Sequence, residues 1–169
     1  MHSQRGSDYG AGAGVRTRRI RDGGRHRQVT ERDTAAAVLY VEDDEIDVLM
    51  MRRAWERAGL SNPLHVVSDG QEAEDYLSGE GQYANRGMCP TPALVLLDLR
   101  LPKITGLDLL KWIRAQPTLR TLHVVVLSSS DLPQEVQRMK ALGASAHWLK
   151  PSNPRELEAM MVGLKQRWL

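Results

Sequence analysis

Acidic, hydroxyl and ammonium side chains stand at the ends of apolar runs in this chain. Leu94-Val95-Leu96-Leu97 meets Asp98, Ala36 to Val41 meets Glu42-Asp43-Asp44-Glu45, Leu122 to Leu127 meets Ser128, and Ala144 to Leu149 meets Lys150. A charge is excluded from a strand buried on both faces, so each of these groups belongs where its strand emerges. Taken singly, Asp98 reads as a turn cap, as aspartates after strands commonly are. Its company gives it more. Glu42, Asp43 and Asp98 on neighbouring strand ends would repel one another, and a cation is the remedy. Mg²⁺ suits them better than zinc, because it takes carboxylate, water and phosphate oxygens and no His or Cys stands with them. Lys150 adds a compact positive charge and Ser128 a hydroxyl donor, the two groups needed to hold the oxygens of a phosphoryl group on Asp98. Phosphoryl transfer demands chiefly positioning and charge neutralisation, and this set supplies both.

The spacing between these runs supplies the elements that bring them together. After Glu45 the period changes, with Ile46, Leu49, Met50 and Ala54 along one face of a helix that runs to about Ala58 and stops before Gly59. Leu64 to Val67 is a short strand and Asp69-Gly70 a turn, followed by a helix from Gln71 to about Leu77 and a Gly-rich loop from Ser78 to Thr91. Gly106 to Arg114 is an amphipathic helix with a wide apolar stripe. The helix from Pro133 to Leu142 has a thin one (Val136, Met139, Leu142), and the last runs from Pro154 to Trp168 over Leu157, Met160, Met161 and Leu164. Strands alternating with helices give an α/β fold, a doubly wound five-stranded parallel sheet with five helices. In the flavodoxin-like order 2-1-3-4-5 the strands before Glu42, Asp98 and Ser128 are neighbours, and their carboxyl ends meet at the topological switch point.

Charge is unevenly distributed. Residues 1–32 hold eight arginines, no lysine and three acids, a surplus of five positive charges, while the rest of the chain carries a net −3. Residues 1–35 lack apolar periodicity and are rich in Gly and Arg, which reads as a disordered basic tail preceding one domain over 36–169. An arginine-rich arm can attract polyanions, but only Tyr9 is present to stack on a base, so a solvated extension or a misassigned start codon is the plainer reading. The single cysteine, Cys89, excludes an intramolecular disulfide, and the absence of a signal peptide or long apolar run indicates a cytoplasmic protein away from the membrane.

Val41-Glu42-Asp43, Asp98 with Leu101-Pro102 and Gly106, Ser128, and Lys150-Pro151 occur in an order that resembles the receiver domain of two-component response regulators, over about residues 36–168. The resemblance implies that Asp98 accepts a phosphoryl group from a sensor histidine kinase and that Asp43 ligates Mg²⁺ directly. It implies that Glu42 holds the metal mainly through water, that Arg100 contributes its backbone carbonyl, and that Ser128 and Lys150 bind the phosphoryl oxygens. It also implies a cis Lys150-Pro151 bond. Ser128 would then act as a switch together with His147, which stands where similar receivers place Tyr or Phe. A histidine there is readable as a pH-sensitive switch or as an ordinary half-buried strand residue. The long Ser78–Thr91 loop and the Asp98 to Lys103 segment look like the phytochrome-linked single-domain regulators, which points to a phytochrome-type kinase.

The chain stops about twenty residues after Lys150, so no DNA-binding or catalytic output domain is expected, and output would fall to a downstream protein target or to draining phosphate from the kinase. Trp55, Trp112, Trp148 and Trp168 read first as packing residues; the alternative for Trp148 and Trp168 is a dimer patch, since similar receivers form homodimers through the fourth helix, fifth strand and fifth helix. Asp44, Glu45 and Asp47 read as a solvated helix start. Two other classes compete. A scaffold receiver that is never phosphorylated has no need of Glu42, Asp43, Asp98, Ser128 and Lys150 together, and an aspartyl-nucleophile phosphohydrolase would want an acid where Arg100 stands.

Overall fold

The computed structural model describes residues 36–169 and, before them, Arg18–Arg19 paired antiparallel with Gln28–Val29. The disordered-tail reading of residues 1–35 otherwise lies outside the described residues. The chain divides into two units, residues 1–35 and residues 36–169. In the second, β1 (Val38–Val41), β2 (Leu64–Val67), β3 (Leu94–Asp98), β4 (His123–Ser128) and β5 (Ala146–Leu149) alternate with α1 (Glu45–Arg57), α2 (Gly70–Ser78), α3 (Gly106–Ala115), α4 (Pro133–Ala141) and α5 (Pro154–Trp168). The strands form one parallel sheet in the order 2-1-3-4-5.

The apolar runs are continuous because both faces of the sheet are covered. Leu39, Val41, Val95, Leu97, Val124 and Val126 face one core with Ala73, Tyr76, Leu109, Leu110, Ile113 and Met139 from α2, α3 and α4. The alternate residues Val38, Tyr40, Leu94, Leu96, Val125 and Leu127 face the other, against Met51, Ala54 and Trp55 of α1 and Met161 and Leu164 of α5. As its thin stripe predicts, α4 fully buries only Met139.

Two expectations need correction. The buried face of α1 is Met51, Ala54 and Trp55, flanked by half-buried Val48 and Ala58, whereas Ile46 is 70% and Leu49 48% exposed. Both sets satisfy helical spacing. The one carrying Trp55 wins because that indole fills the core and donates from Nε1 to the Asn62 carbonyl at 3.0 Å, while the first turn of α1 lies by the sheet rim. The Lys150-Pro151 bond is trans, no cis peptide occurring among the described residues; Lys150 reaches the carboxylates described below from that geometry.

The Ser78–Thr91 loop is more ordered than its composition suggests. It holds a 3₁₀ turn, Gly81–Tyr83, with the Tyr83 ring 5.1 Å from that of Tyr76. Arg86 donates to the Tyr76, Leu77 and Cys89 carbonyls at 2.7, 2.8 and 3.2 Å, so the guanidinium ties the last turn of α2 to the loop and satisfies the Leu77 carbonyl there. Trp148 and Trp168 pack edge to face, with ring centroids 5.4 Å apart, beside the α1/α5 core.

Candidate functional site

Register places the polar strand ends on one rim. Val41 lies opposite Leu97, so Glu42 is level with Asp98; Asp98 lies opposite Leu127, one residue before Ser128; and Ser128 lies opposite Leu149, one residue before Lys150. The Lys150 N–H donates to the Ser128 carbonyl at 2.7 Å, fixing the chain as it leaves the sheet. The α1 helix begins just beyond, with Asp44 as N-cap accepting from the Ile46 and Asp47 N–H groups at 2.7 and 3.0 Å.

Lys150 is the hub. Its Nζ stands 2.6 Å from Glu42 Oε2, 2.9 Å from Asp47 Oδ2 and 3.1 Å from Asp98 Oδ1. Burial alone would disfavour its charge, but the Asp47, Glu42 and Asp98 carboxylates outweigh that and hold its proton more firmly than usual. Glu42 is only 2% exposed. Burial raises its carboxyl above the ordinary range despite Lys150, and Asp98 adds repulsion. The Tyr40 hydroxyl donates to Glu42 Oε2 at 2.9 Å, and its phenol is pushed up by burial and by that carboxylate. Asp98, 6% exposed, accepts the Arg100 backbone N–H on Oδ2 at 2.9 Å.

Glu42, Asp43 and Asp98 each offer an oxygen within 4.8 Å of the others, with Glu42 and Asp98 buried and Asp43 exposed. This hard-oxygen set lacks His or Cys and has a single ammonium against its negative charge, so it fits a divalent cation of the Mg²⁺ or Mn²⁺ kind. Gly106 sets how closely α3 approaches the end of β3. A Cβ there would collide with the Asp98 carbonyl oxygen and lie 2.8 Å from Leu99 Cα, and the Gly106 N–H donates to the Leu99 carbonyl at 3.1 Å. Only glycine allows α3 to start so close to the end of β3.

The remaining site residues are differently engaged. Ser128 is buried, and its hydroxyl accepts from the Ser130 N–H at 3.0 Å while donating to the Ser130 carbonyl at 3.1 Å. It stands on the rim turned into its own loop. The Arg100 guanidinium reaches the Ser129 hydroxyl. His147 lies opposite Val126 on β5, and its buried Nε2 has no hydrogen-bond partner among the described residues. Strand alternation puts it on the face opposite Ala146 and Trp148, the α4 side.

Sequence reasoning underread Asp47 and Tyr40. Asp47 is more than a solvated helix start, for it binds Lys150. The available signal was its place on the first turn of a helix leaving the rim, since helical side chains lean back toward their N-terminus. Tyr40 is the strand core residue its run suggested, and its hydroxyl in addition binds Glu42.

Residues 38–162 match the response regulator receiver domain family. Response regulator Rcp1 of Synechocystis sp. is 31% identical over 139 residues, spanning 82% of this chain and 92% of that protein. The Mn²⁺-bound form of response regulator Rcp1 superimposes with a TM-score of 0.71 at 31% identity, over 79% of this chain and 94% of that one. A response regulator in red light signalling of R. palustris, RPA3017, gives 0.76 at 34% identity, over 79% of this chain and 94% of its own. The phosphorylated cyanobacterial phytochrome response regulator RcpA gives 0.72 at 33%, with the same two coverages. Together with the sheet order, the acidic rim and the central lysine, these likenesses make this chain a member of the response regulator receiver domain family, the signalling module of two-component systems.

Proposed function

We infer that the protein is a single-domain response regulator that takes a phosphoryl group from a sensor histidine kinase onto Asp98. The observation that carries the reading is Lys150 Nζ lying within 3.1 Å of Asp98 and 2.6 Å of Glu42, beside an oxygen cluster suited to a cation. An Asp98 carboxylate oxygen attacks phosphorus in line, the phosphorus–nitrogen bond of the kinase phosphohistidine breaks, and its electron pair returns to the imidazole. Lys150 neutralises charge on the equatorial oxygens, and the Arg100 N–H holds the other Asp98 oxygen in place. Glu42, Asp43, Asp98 and the Arg100 carbonyl would hold Mg²⁺, which when bound supplies charge neutralisation for the phosphoryl oxygens.

The acyl phosphate offers the Ser128 hydroxyl a better acceptor than the Ser130 carbonyl. Turning toward it breaks the two Ser128–Ser130 bonds, frees the loop before α4, and lets His147 change its place on that face. The N-cap of α4, Leu132, makes no side-chain cap bond, so this end of the helix is the easier one to move. A phosphoryl group adds about −1.5 to −2 charges, enough to supply the ~1–3 kcal/mol such a population shift requires.

The similar R. palustris regulator belongs to red light signalling and RcpA is a cyanobacterial phytochrome response regulator, which supports a phytochrome-type kinase as the donor, with output to a downstream protein or simply the draining of phosphate from the kinase. A cytoplasmic place of action belongs to the same proposal; no helix among the described residues is long and apolar enough to cross a membrane. A homodimer through α4, β5 and α5 is a further partnership, which sedimentation with and without phosphodonor tests; a monomer under both conditions rejects it. The function itself is tested by incubating the chain with a phosphorylated histidine kinase and Mg²⁺. Transfer that disappears in Asp98→Asn supports the switch, continuous phosphate release points to a hydrolase, and no transfer from any kinase or small phosphodonor points to a scaffold.

A further inference from the structure

Lys103 is the one non-glycine described residue with a positive φ, 64°. It centres a three-residue turn closed by the Ile104 N–H on the Pro102 carbonyl at 2.8 Å, a strained γ-type geometry in which a lysine has no intrinsic advantage. Its ammonium reaches across to the β2–α2 turn, 2.5 Å from Asp69 Oδ2. Asp69 is 6% exposed and divides its oxygens, since Oδ1 caps α2 by accepting the Glu72 N–H at 2.8 Å. Burial would raise its carboxyl, but Lys103 and the backbone N–H groups of the helix start outweigh it and hold the acid below its ordinary range. Beside the pair, the loop sits hard on α2: a Cβ on Gly70 would lie 2.5 Å from the Ile104 oxygen and 2.6 Å from its Cβ.

The segment so gripped runs from Arg100, whose N–H is bound to Asp98 Oδ2, to Gly106, packed on the Asp98 carbonyl. Lys103 is the only polar side chain between Arg100 and Thr105. We propose that the Asp69–Lys103 ion pair is a latch holding the β3–α3 loop against α2, so that the Arg100 backbone is already placed for the cation held by Glu42, Asp43 and Asp98. Asp69 and Lys103 are positioning residues that touch neither cation nor phosphoryl group. The latch rests on the cation-site reading of the rim. Its work is to order the loop before the cation arrives, so that binding does not bear that ordering cost.

Calorimetric titration of the full chain with Mg²⁺ alone, paired with thermal unfolding in its absence, separates the possibilities. Asp69→Asn keeps an equally good N-cap, and Lys103→Gly removes the backbone strain, so neither variant should unfold at lower temperature for local reasons. The latch predicts that Asp69→Asn, Lys103→Met and Lys103→Gly each bind Mg²⁺ about 10-fold more weakly, the scale of a lost supporting contact. It predicts that the Asp69→Asn/Lys103→Met double variant binds no more weakly than either alone, and that Lys103→Arg recovers most of the affinity. Wild-type affinity in the Asn, Met and Gly variants, or in Lys103→Gly alone, overturns the latch while the cation site stands. The site reading itself is read from wild type against Asp43→Asn: if wild type takes up no Mg²⁺, or Asp43→Asn binds as well as wild type, that reading falls and the latch with it.

Discussion

Replacing Lys150 with Met should show how the rim is balanced. The ammonium is within 3.1 Å of three carboxylates, of which Glu42 and Asp98 are buried and Asp47 is partly exposed. Removing one member of a fully buried ion pair costs about 3–5 kcal/mol, because the remaining charge is stranded. Lys150 keeps 20% of its side-chain surface and the pocket opens to solvent, so screening brings the expected loss to about 2 kcal/mol. For a domain of this size that is a drop of roughly 5–10 °C in melting temperature. The pH dependence has a definite sign. Glu42 already has a carboxyl raised above its unfolded value, so its ionisation costs folding energy at neutral pH, and this cost is relieved as pH falls through the folded pKa. Without Lys150 the pKa rises further, so the stability gap between variant and wild type should narrow as pH is lowered from 7 toward about 5. Mg²⁺ should narrow it too, since a cation between Glu42, Asp43 and Asp98 replaces part of the missing charge. Scanning calorimetry of both proteins at several pH values, with and without Mg²⁺, measures all of this. A variant that melts with wild type in Mg²⁺-free buffer at neutral pH, or whose deficit neither acid nor Mg²⁺ reduces, refutes the electrostatic account.

Other outcomes follow from single contacts. Gly106→Ala should destabilise by about 3 kcal/mol or fail to fold, because its methyl meets the Asp98 backbone, and denaturant unfolding reports it. Tyr40→Phe removes one donor from Glu42 while Lys150 and the Asp44 N–H remain, so the same experiment should give about 1 kcal/mol. Ser128→Ala should leave stability within about 1 kcal/mol, since it gives up only contacts to Ser130, and should still accept phosphate on Asp98. What it should lose is the phosphorylation-dependent change in hydrogen exchange at the start of α4. Removing residues 1–32 should leave Asp98 phosphorylation unchanged, and a large loss in a transfer assay would give the arginine-rich segment a role in the reaction.

The parts of the fold that followed from the sequence were those where burial leaves no choice. Leu94 to Leu97 and Val38 to Val41 are apolar on both sides because both faces of the sheet are covered, and that property alone pushes Asp98 and Glu42 to the strand ends. Parallel crossovers then bring distant ends together, which is why Lys150 and Glu42 could be placed on one rim across 108 positions, though their direct ion pair was not foreseen. Choices between near-equal local solutions were not legible. On α1, the Ile46-Leu49-Met50-Ala54 stripe and the Met51-Ala54-Trp55 stripe both obey helical spacing and share buried Ala54, and only the tertiary fit of Trp55 decides. The Asp69–Lys103 pair joins residues with no shared local pattern, and the positive φ at Lys103 runs against what residue type alone would suggest. Ser128 was rightly placed on its strand end, but the direction of its hydroxyl depends on the Ser130 backbone, which no pattern of residue types reveals.

Asp98 has to be the group that takes the phosphoryl. Treating the protein with a small acyl phosphate and Mg²⁺, then mapping the modification by mass spectrometry of borohydride-reduced peptides, addresses it directly. One modified residue is predicted, Asp98, with modification abolished when Mg²⁺ is chelated. Modification centred on Asp43, Ser128 or a histidine, or on Asp98 at an undiminished rate without the cation, would contradict it.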